Sequence, residues 1–434
     1  SMSTPMEQKI SFSAMPPLSP LALTGRFYSE RGRSCSLHRL SRACTALESR
    51  SANSRQDGRA GPERFFRRAV SARAAPQDDP GTVAGHKNPA SMGFVLHAHV
   101  HIGRVLQLPR VRVFSLGGTI SSTASGGEGV SPTLTGEELV AEVPEIAGVA
   151  EVSAVSFRQV ASGELTLADV LELAGEVEAC AGTRAEGVVI TQGTDTIEET
   201  AFAMDLLVQG DAPVVVTGAM RNPTLPGADG PANLLASVRV AASRAARGLG
   251  ALVVMNDEIH AARFVKKTHT QSPCAFQSPS TGPVGWVSEG DVRVALRLPA
   301  RHVLGMPPDG AGHSVALLKL ALGEDGRLLP AVRQAGYAGL VVEAFGGGHV
   351  PSGMVGALEQ LASEMPVVLA SRTGSGDVLR RTYGFAGSEM DLLSRGLIWG
   401  GMLDGLKARL LLTFLLRHGK DREEIRAAFE KWCA

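Results

Sequence analysis

The sequence has few cysteines, no long apolar run and no net charge, and each absence excludes something. Five cysteines (Cys35, Cys44, Cys180, Cys274 and Cys433) occur in 434 residues. Their number is odd, their spacing wide, and no Cys-x-x-Cys pair occurs, which argues against a disulfide framework and a zinc ribbon. A reducing, cytoplasmic compartment is the resulting expectation. No stretch approaches the roughly 18 apolar residues of a membrane span, and no apolar segment near the N-terminus ends in a small-residue cleavage site. Lys plus Arg and Asp plus Glu number 43 each, so no membrane or nucleic-acid partner is expected from the totals. The balance hides a segregation. Residues 1–108 hold 15 basic and 7 acidic residues, a charge of +8, and the remainder carries −8. An acidic remainder offers nothing to a polyanion.

The basic piece reads as a leader. Residues 1–90 scatter Arg, Ser, Ala and Pro with no helical or strand period, so they offer little to bury, and residues 1–108 are expected to be disordered. Two origins fit: a targeting segment, or a start assigned upstream of a natural one near Met92. Near its end, His97-Ala98-His99-Val100-His101 sets three imidazoles on one face of a strand, an arrangement that metal-dependent hydrolases use. Such a site also needs later His and Asp ligands on successive strands, and the other histidines form no such series. No metal is expected.

From Arg110 the texture changes to short Val/Ile/Leu runs separated by Gly-rich turns and helical patterns, an α/β signature. The patterns predict strands at 111–116, 187–191, 213–219 and 251–255 and a helix over 197–208. Another helix begins at Asp229-Gly230-Pro231, with the aspartate as its cap. Residues 297–313, rich in Pro and Gly, break the alternation as an interdomain connection would. A second series follows, with strands at 339–344 and 366–370, a helix over 352–363, and closing helices over 403–416 and 422–432, the last capped by Asp421. The domains are accordingly 109–300 and 314–434, each expected to close its own core.

Two turns carry the chemistry. Leu116-Gly117-Gly118-Thr119-Ile120 and Thr191-Gln192-Gly193-Thr194-Asp195-Thr196 place glycines beside hydroxyl residues where strands leave the sheet, the crevice in which such folds bind ligands. Glycines there let backbone N–H groups approach an oxyanion or carboxylate. No Gly-Lys-Ser/Thr holds a phosphate, no Gly-x-Gly-x-x-Gly opens a helix, and the Gly-x-Ser-x-Gly elbow is missing. What remains is a pair of threonines, and a threonine nucleophile needs a base.

With Ala219-Met220-Arg221, Asp229-Gly230-Pro231-Ala232-Asn233-Leu234, Val254-Met255-Asn256-Asp257 and Lys266-Lys267-Thr268, the order and spacing closely resemble the bacterial-type L-asparaginase/glutaminase family. The likeness spans residues 110–434. It implies a larger N-terminal α/β domain with a mostly parallel sheet and a smaller C-terminal α/β domain. It also implies hydrolysis of L-asparagine to L-aspartate and ammonia through a threonine-bound β-aspartyl ester, with no cofactor. By the same resemblance Thr119 is the nucleophile, Thr194, Asp195 and Lys267 form a threonine–acid–lysine set, Ser162 holds the substrate α-carboxylate, and the Ala219 carbonyl meets the amide. The chemistry suits these types: a lysine desolvated enough to spend time neutral accepts the hydroxyl proton, and the carboxylate orients it and binds the α-ammonium. Backbone N–H donors on an oxyanion are each worth about 2.7–4 kcal/mol in other hydrolases. Lys266, beside Lys267, reads as an ordinary solvated lysine, and Ser162 taken alone as a helix N-cap.

Three departures from the family pattern stand out. Gly163 takes the place of a glutamine, the loop Ser125-Gly126-Gly127-Glu128-Gly129-Val130-Ser131 has no tyrosine over the site, and His349 of Gly346-Gly347-Gly348-His349 replaces an asparagine that reaches a neighbouring subunit. Glu389 is the candidate acid donated by that neighbour. The resemblance implies a homodimer or homotetramer. Two alternatives stay open, a glutaminase-asparaginase of relaxed specificity and a catalytically weak amino-acid-binding homologue.

Overall fold

The computed structural model describes residues 107–124, 130–181, 183–298, 301–308 and 312–433. The leader up to residue 106, with His97, His99 and His101, and the loop Ser125–Gly129 lie outside the described residues.

The chain is α/β, with a large mostly parallel sheet and a smaller parallel one. The first part runs β1 (Arg110–Gly117), a hairpin of β2 (Ser122–Ala124) and β3 (Val130–Pro132), α1 (Gly136–Ala141), β4 (Glu151–Val160), α2 (Leu167–Cys180), β5 (Gly187–Thr191), α3 (Ile197–Leu207), β6 (Val214–Thr217), α4 (Gly230–Ala242) and β7 (Ala251–Met255). It continues with β8 (Glu258–Ala261), a two-residue hairpin of β9 (Lys266–Lys267) and β10 (Phe276–Gln277), β11 (Gly285–Ser288) and β12 (Asp291–Val294).

Strands β4, β1, β5, β6 and β7 lie side by side and parallel. Strands β8, β11 and β12 extend the sheet antiparallel beyond β7. The central strands were legible because every residue of β5, β6 and β7 is buried. Edge strands β4 and β12 were not, since they alternate exposed with half-buried residues and contain no apolar run. Successive side chains leave a strand on opposite faces: Val188 and Ile190 of β5 join the core formed with α2 and α3, whereas Val189 joins the one beneath α4.

Helix starts follow from their caps. Helix α2 begins at a capping box, with Thr166 accepting from the Asp169 N–H and the Asp169 carboxylate accepting from the Thr166 N–H. Ser162 is therefore not that helix's cap. It opens a short 3-10 turn four residues earlier and is buried. Asp229 precedes α4 but caps nothing. Its carboxylate instead accepts from the N–H groups of Met220 and Arg221, at 3.0 and 2.8 Å, so it fixes the turn that follows β6.

The second part comprises β13 (Val315–Lys319), α5 (Leu329–Gln334), β14 (Gly339–Ala344), α6 (Val355–Glu364), β15 (Val367–Ser371), α7 (Glu389–Ser394), β16 (Ile398–Trp399), α8 (Gly405–Arg417) and α9 (Arg422–Cys433). Its four strands are parallel and in sequence order. The Asp404 carboxylate caps α8 by accepting from the Lys407 N–H, and Asp421 accepts from the Glu424 N–H at the start of α9.

Each lobe has a cluster of its own, around Val113, Val189 and Leu234 in the first and Leu340, Leu358 and Leu392 in the second, and a further cluster is shared between them. Leu410, Leu411 and Phe414 of α8 and Phe429 and Trp432 of α9 belong to the same buried cluster as Ile190, Phe202 and Met204 of the first part. Each fully buried Leu, Ile or Phe contributes about 1.5–3 kcal/mol, so the two lobes stabilise one another through a common core. The Pro- and Gly-rich connection is ordered where it is described. The Arg301 guanidinium donates to Asp205 Oδ1 at 3.1 Å and to the Val208 and Gly210 carbonyls at 2.6 and 3.0 Å, satisfying the C-terminal end of α3.

Candidate active site

The turns that leave β1 and β5 meet backbone to backbone. Gly118 has φ 82°, open to glycine at no steric cost, and a Cβ there would overlap the backbone of Gly193. A Cβ on Gly193 would in turn come 2.7 Å from the Ser162 hydroxyl. Only glycine at these two positions lets three chain segments, following β1, β4 and β5, converge at one edge of the sheet. The Thr119 turn is thereby set against the Thr194 turn.

Lys267 completes the second turn. Its Nζ donates to Thr194 Oγ1 at 2.8 Å and to Asp195 Oδ1 at 2.7 Å. Thr194 is 8% exposed, the Lys267 side chain 16% and the Asp195 side chain 75%, so the hydroxyl–amine contact is shielded while the carboxylate faces a cleft. That cleft, about 600 Å³, is lined by Asp195, Glu198, Lys267, Thr268, His269 and Thr270. Ser162 is fastened to the same turn: its Oγ accepts the Asp195 N–H at 3.3 Å, and its carbonyl accepts from the Thr196 hydroxyl at 3.2 Å. Beside it, a side chain on Gly163 would enter open space. Ala219 is buried after β6, next to β5. Thr119 is half-buried, and its hydroxyl makes no hydrogen bond among the described residues.

Lys266 is not the solvated lysine its sequence context suggests. Its side chain is 28% exposed and its ammonium lies 3.9 Å from Asp404 Oδ2 on the other lobe. Sequence reasoning also missed Glu198 and Lys407. Glu198 Oε1 accepts the backbone N–H of Lys267 at 3.4 Å, and Oε2 lies 3.5 Å from the Lys407 ammonium. Burial raises the Glu198 carboxyl above its ordinary value, against the opposing pull of Lys407. Asp404 is also buried, but Lys407 and Lys266 outweigh that and hold it below the usual carboxylate range. A signal existed: Lys407, Leu411 and Phe414 are spaced i, i+4, i+7, which sets the lysine on the buried stripe of α8.

His349 and Glu389 form a separate pair on the C-terminal lobe and make no hydrogen bond to the threonine set among the described residues. Glu389 is 0% exposed. Its Oε1 accepts the N–H groups of Thr382 and Tyr383, at 2.9 and 2.8 Å, and its Oε2 is 3.3 Å from His349 Nε2. Burial would raise this carboxyl, but those donors and the imidazole outweigh it and hold it low. The expectation that Glu389 is offered to a neighbouring subunit is corrected: the carboxylate is enclosed, and the group above it is the His349 ring, packed edge-on to Tyr383 and Phe385.

Comparison with known proteins adds to this geometry. The asparaginase N-terminal family model matches residues 110–300, and the glutaminase/asparaginase C-terminal domain matches residues 314–429. The chain belongs to the asparaginase family. It is 34% identical to the L-asparaginase 2 of Escherichia coli over 76% of this chain and 95% of that protein. It is 33% identical to the probable periplasmic L-asparaginase of Haemophilus influenzae over the same shares, and 33% identical to the glutaminase-asparaginase of Pseudomonas fluorescens over 74% and 90%. These alignments cover nearly the whole of each relative. No helix among the described residues is long and apolar enough to cross a membrane.

Proposed function

We propose that this member of the asparaginase family hydrolyses the side-chain amide of L-asparagine to L-aspartate and ammonia through a threonine ester. The observation that carries the reading is the shielded Lys267 amine bonded to both Thr194 and Asp195, with the Thr119 turn packed against them. Thr119 Oγ1 attacks the amide carbon and its proton passes through Thr194 to Lys267. Backbone N–H groups of the glycine turns receive the oxyanion. Lys267 returns the proton to the leaving nitrogen, ammonia departs, and water cleaves the β-aspartyl ester along the same route. Asp195, open to the cleft, takes the α-ammonium, and the Ser162 hydroxyl takes the α-carboxylate. The Ala219 carbonyl meets the amide. No metal or organic cofactor is called for.

A second order of attack has an observation in its favour, because Thr194 and not Thr119 holds the direct bond to the lysine. Ammonia release from L-asparagine by Thr119→Ala tests both. Loss of turnover by roughly 10³-fold or more, with no ester formed in a single turnover, assigns the attack to Thr119. An ester that still accumulates assigns it to Thr194.

Gly163 supports a relaxed choice between asparagine and glutamine, since its open Cβ position leaves room for one more methylene. We further propose a homodimer or homotetramer in which His349, in its aromatic setting, meets a neighbouring subunit's site, and a cytoplasmic location. Sedimentation of the active enzyme tests the assembly, and an active monomer would refute it.

A further inference from the structure

Lys407 is 1% exposed and lies outside the machinery described above. Its ammonium donates to the Val265 carbonyl at 2.8 Å and to Asp404 Oδ2 at 3.0 Å, and lies 3.5 Å from Glu198 Oε2. Asp404 is the cap of its own helix, but the other two partners belong to the N-terminal lobe. Val265 stands two residues before Lys267. Glu198, in the first turn of α3, lies three residues after Asp195 and holds the backbone N–H of Lys267. One ammonium from the C-terminal lobe thus grips both the residue that leads into the lysine's strand and the helix that follows the threonine turn, with no hydrogen bond to Thr194 or Lys267 itself. An ammonium enclosed this completely costs several kcal/mol unless its partners repay it, and an apolar side chain in its place would often be as stable or more so. Docking alone therefore does not explain a lysine here.

We propose that Lys407 is a positioning residue for the reaction, holding β9 against the start of α3 so that the Lys267 amine sits on the Thr194 hydroxyl. This rests on the reading in which Lys267 moves the proton. The charged groups packed around it are Glu198 and Glu199 on α3, Lys266 and Lys267 on β9, Asp404 at the cap of α8 and Arg409 within it. Glu198 and Asp404 share the ammonium, and Lys266 approaches Asp404 alone.

The test measures ammonia release from L-asparagine by the full chain carrying Lys407→Gln or Lys407→Met. A third variant joins Lys407→Met to Glu198→Gln and Asp404→Asn, so that no buried carboxylate is left unpaired. The triple variant is expected to keep its thermal midpoint within a few degrees, to lose tenfold or more in kcat, and to hold KM within about threefold. In Lys407→Gln the acidic limb of kcat moves to higher pH, because burial at Glu198 is then less opposed and its carboxylate takes a proton sooner. Wild-type kcat in the folded triple variant overturns the proposal. So does a kcat loss uniform across pH in Lys407→Gln, or failure of all three variants to fold, either of which marks a purely structural lysine. Lys267→Met separates the two levels: if it keeps more than a tenth of wild-type kcat, the reading of the site falls; if it is inactive while the Lys407 variants are fully active, only this proposal falls.

Discussion

Two pairs of an acid and a nitrogen base each have one member just after a parallel strand, Asp195 after β5 and His349 after β14, and they are built in opposite senses. In the N-terminal lobe Lys267 is shielded and its partner Asp195 is three-quarters exposed. In the C-terminal lobe the carboxylate is enclosed and the imidazole of His349 is the more open member, at 24%. Glu389 Oε1 is held by two backbone donors, while its Oε2, 3.3 Å from His349 Nε2, has no hydrogen-bond partner among the described residues, and the whole carboxylate is closed to solvent. Asp195 Oδ2 bonds to no other group among the described residues, and it faces the cleft. Both acids keep one oxygen without a partner, so exposure separates them: an enclosed acid acts on the fold around it, and one open to a cleft can bind a ligand.

The sharpest way to break that contrast is to remove a hydroxyl from one side and the imidazole from the other. Thr194→Ala is expected to lower kcat by roughly 10³-fold or more, whereas His349→Ala should cost no more than about tenfold in the same ammonia assay. Equal losses would erase the distinction. Glu389→Gln tests the stability side. Its folded carboxyl titrates below the unfolded one, so its charge stabilises the fold above the unfolded value of about 4.5, and that contribution fades as pH falls through the folded value. The variant should melt roughly 2–4 °C lower at pH 7, with the gap closing toward pH 4; a gap that widens on acidification contradicts the account. The smallest effect is expected at Gly163→Gln. With open space at its Cβ, the thermal midpoint should stay within about 1 °C, while the ratio of kcat/KM for asparagine over glutamine changes measurably.

Much of this was legible in the residues. Strands β5 and β7 have the bounds their apolar runs imply, because a strand buried on both faces has no polar alternation to blur it. Thr119, Thr194, Asp195 and Lys267 were singled out by motif, and the Thr194–Asp195–Lys267 contact joins residues more than 70 positions apart. Strand β4 was not legible, since its ten residues alternate without an apolar run. Asp229 was misread because an aspartate before a helix has two uses, capping it or holding the preceding turn, and only the position of Met220 and Arg221 selects between them.

By itself the sequence determined which residue types stand at the ends of the strands, since local pattern and turn chemistry act over a few residues. It also determined the split between a basic leader and an acidic remainder of the chain. Tertiary structure alone decided which charges face water. Lys266 and Lys267 are neighbours in sequence, yet one turns toward Asp404 of the other lobe and the other toward Thr194 and Asp195. Lys407, more than 200 positions from Glu198, is buried against it. Burial and pairing depend on what the rest of the chain brings alongside, and a common core spanning both lobes brings α8 against α3 and β9.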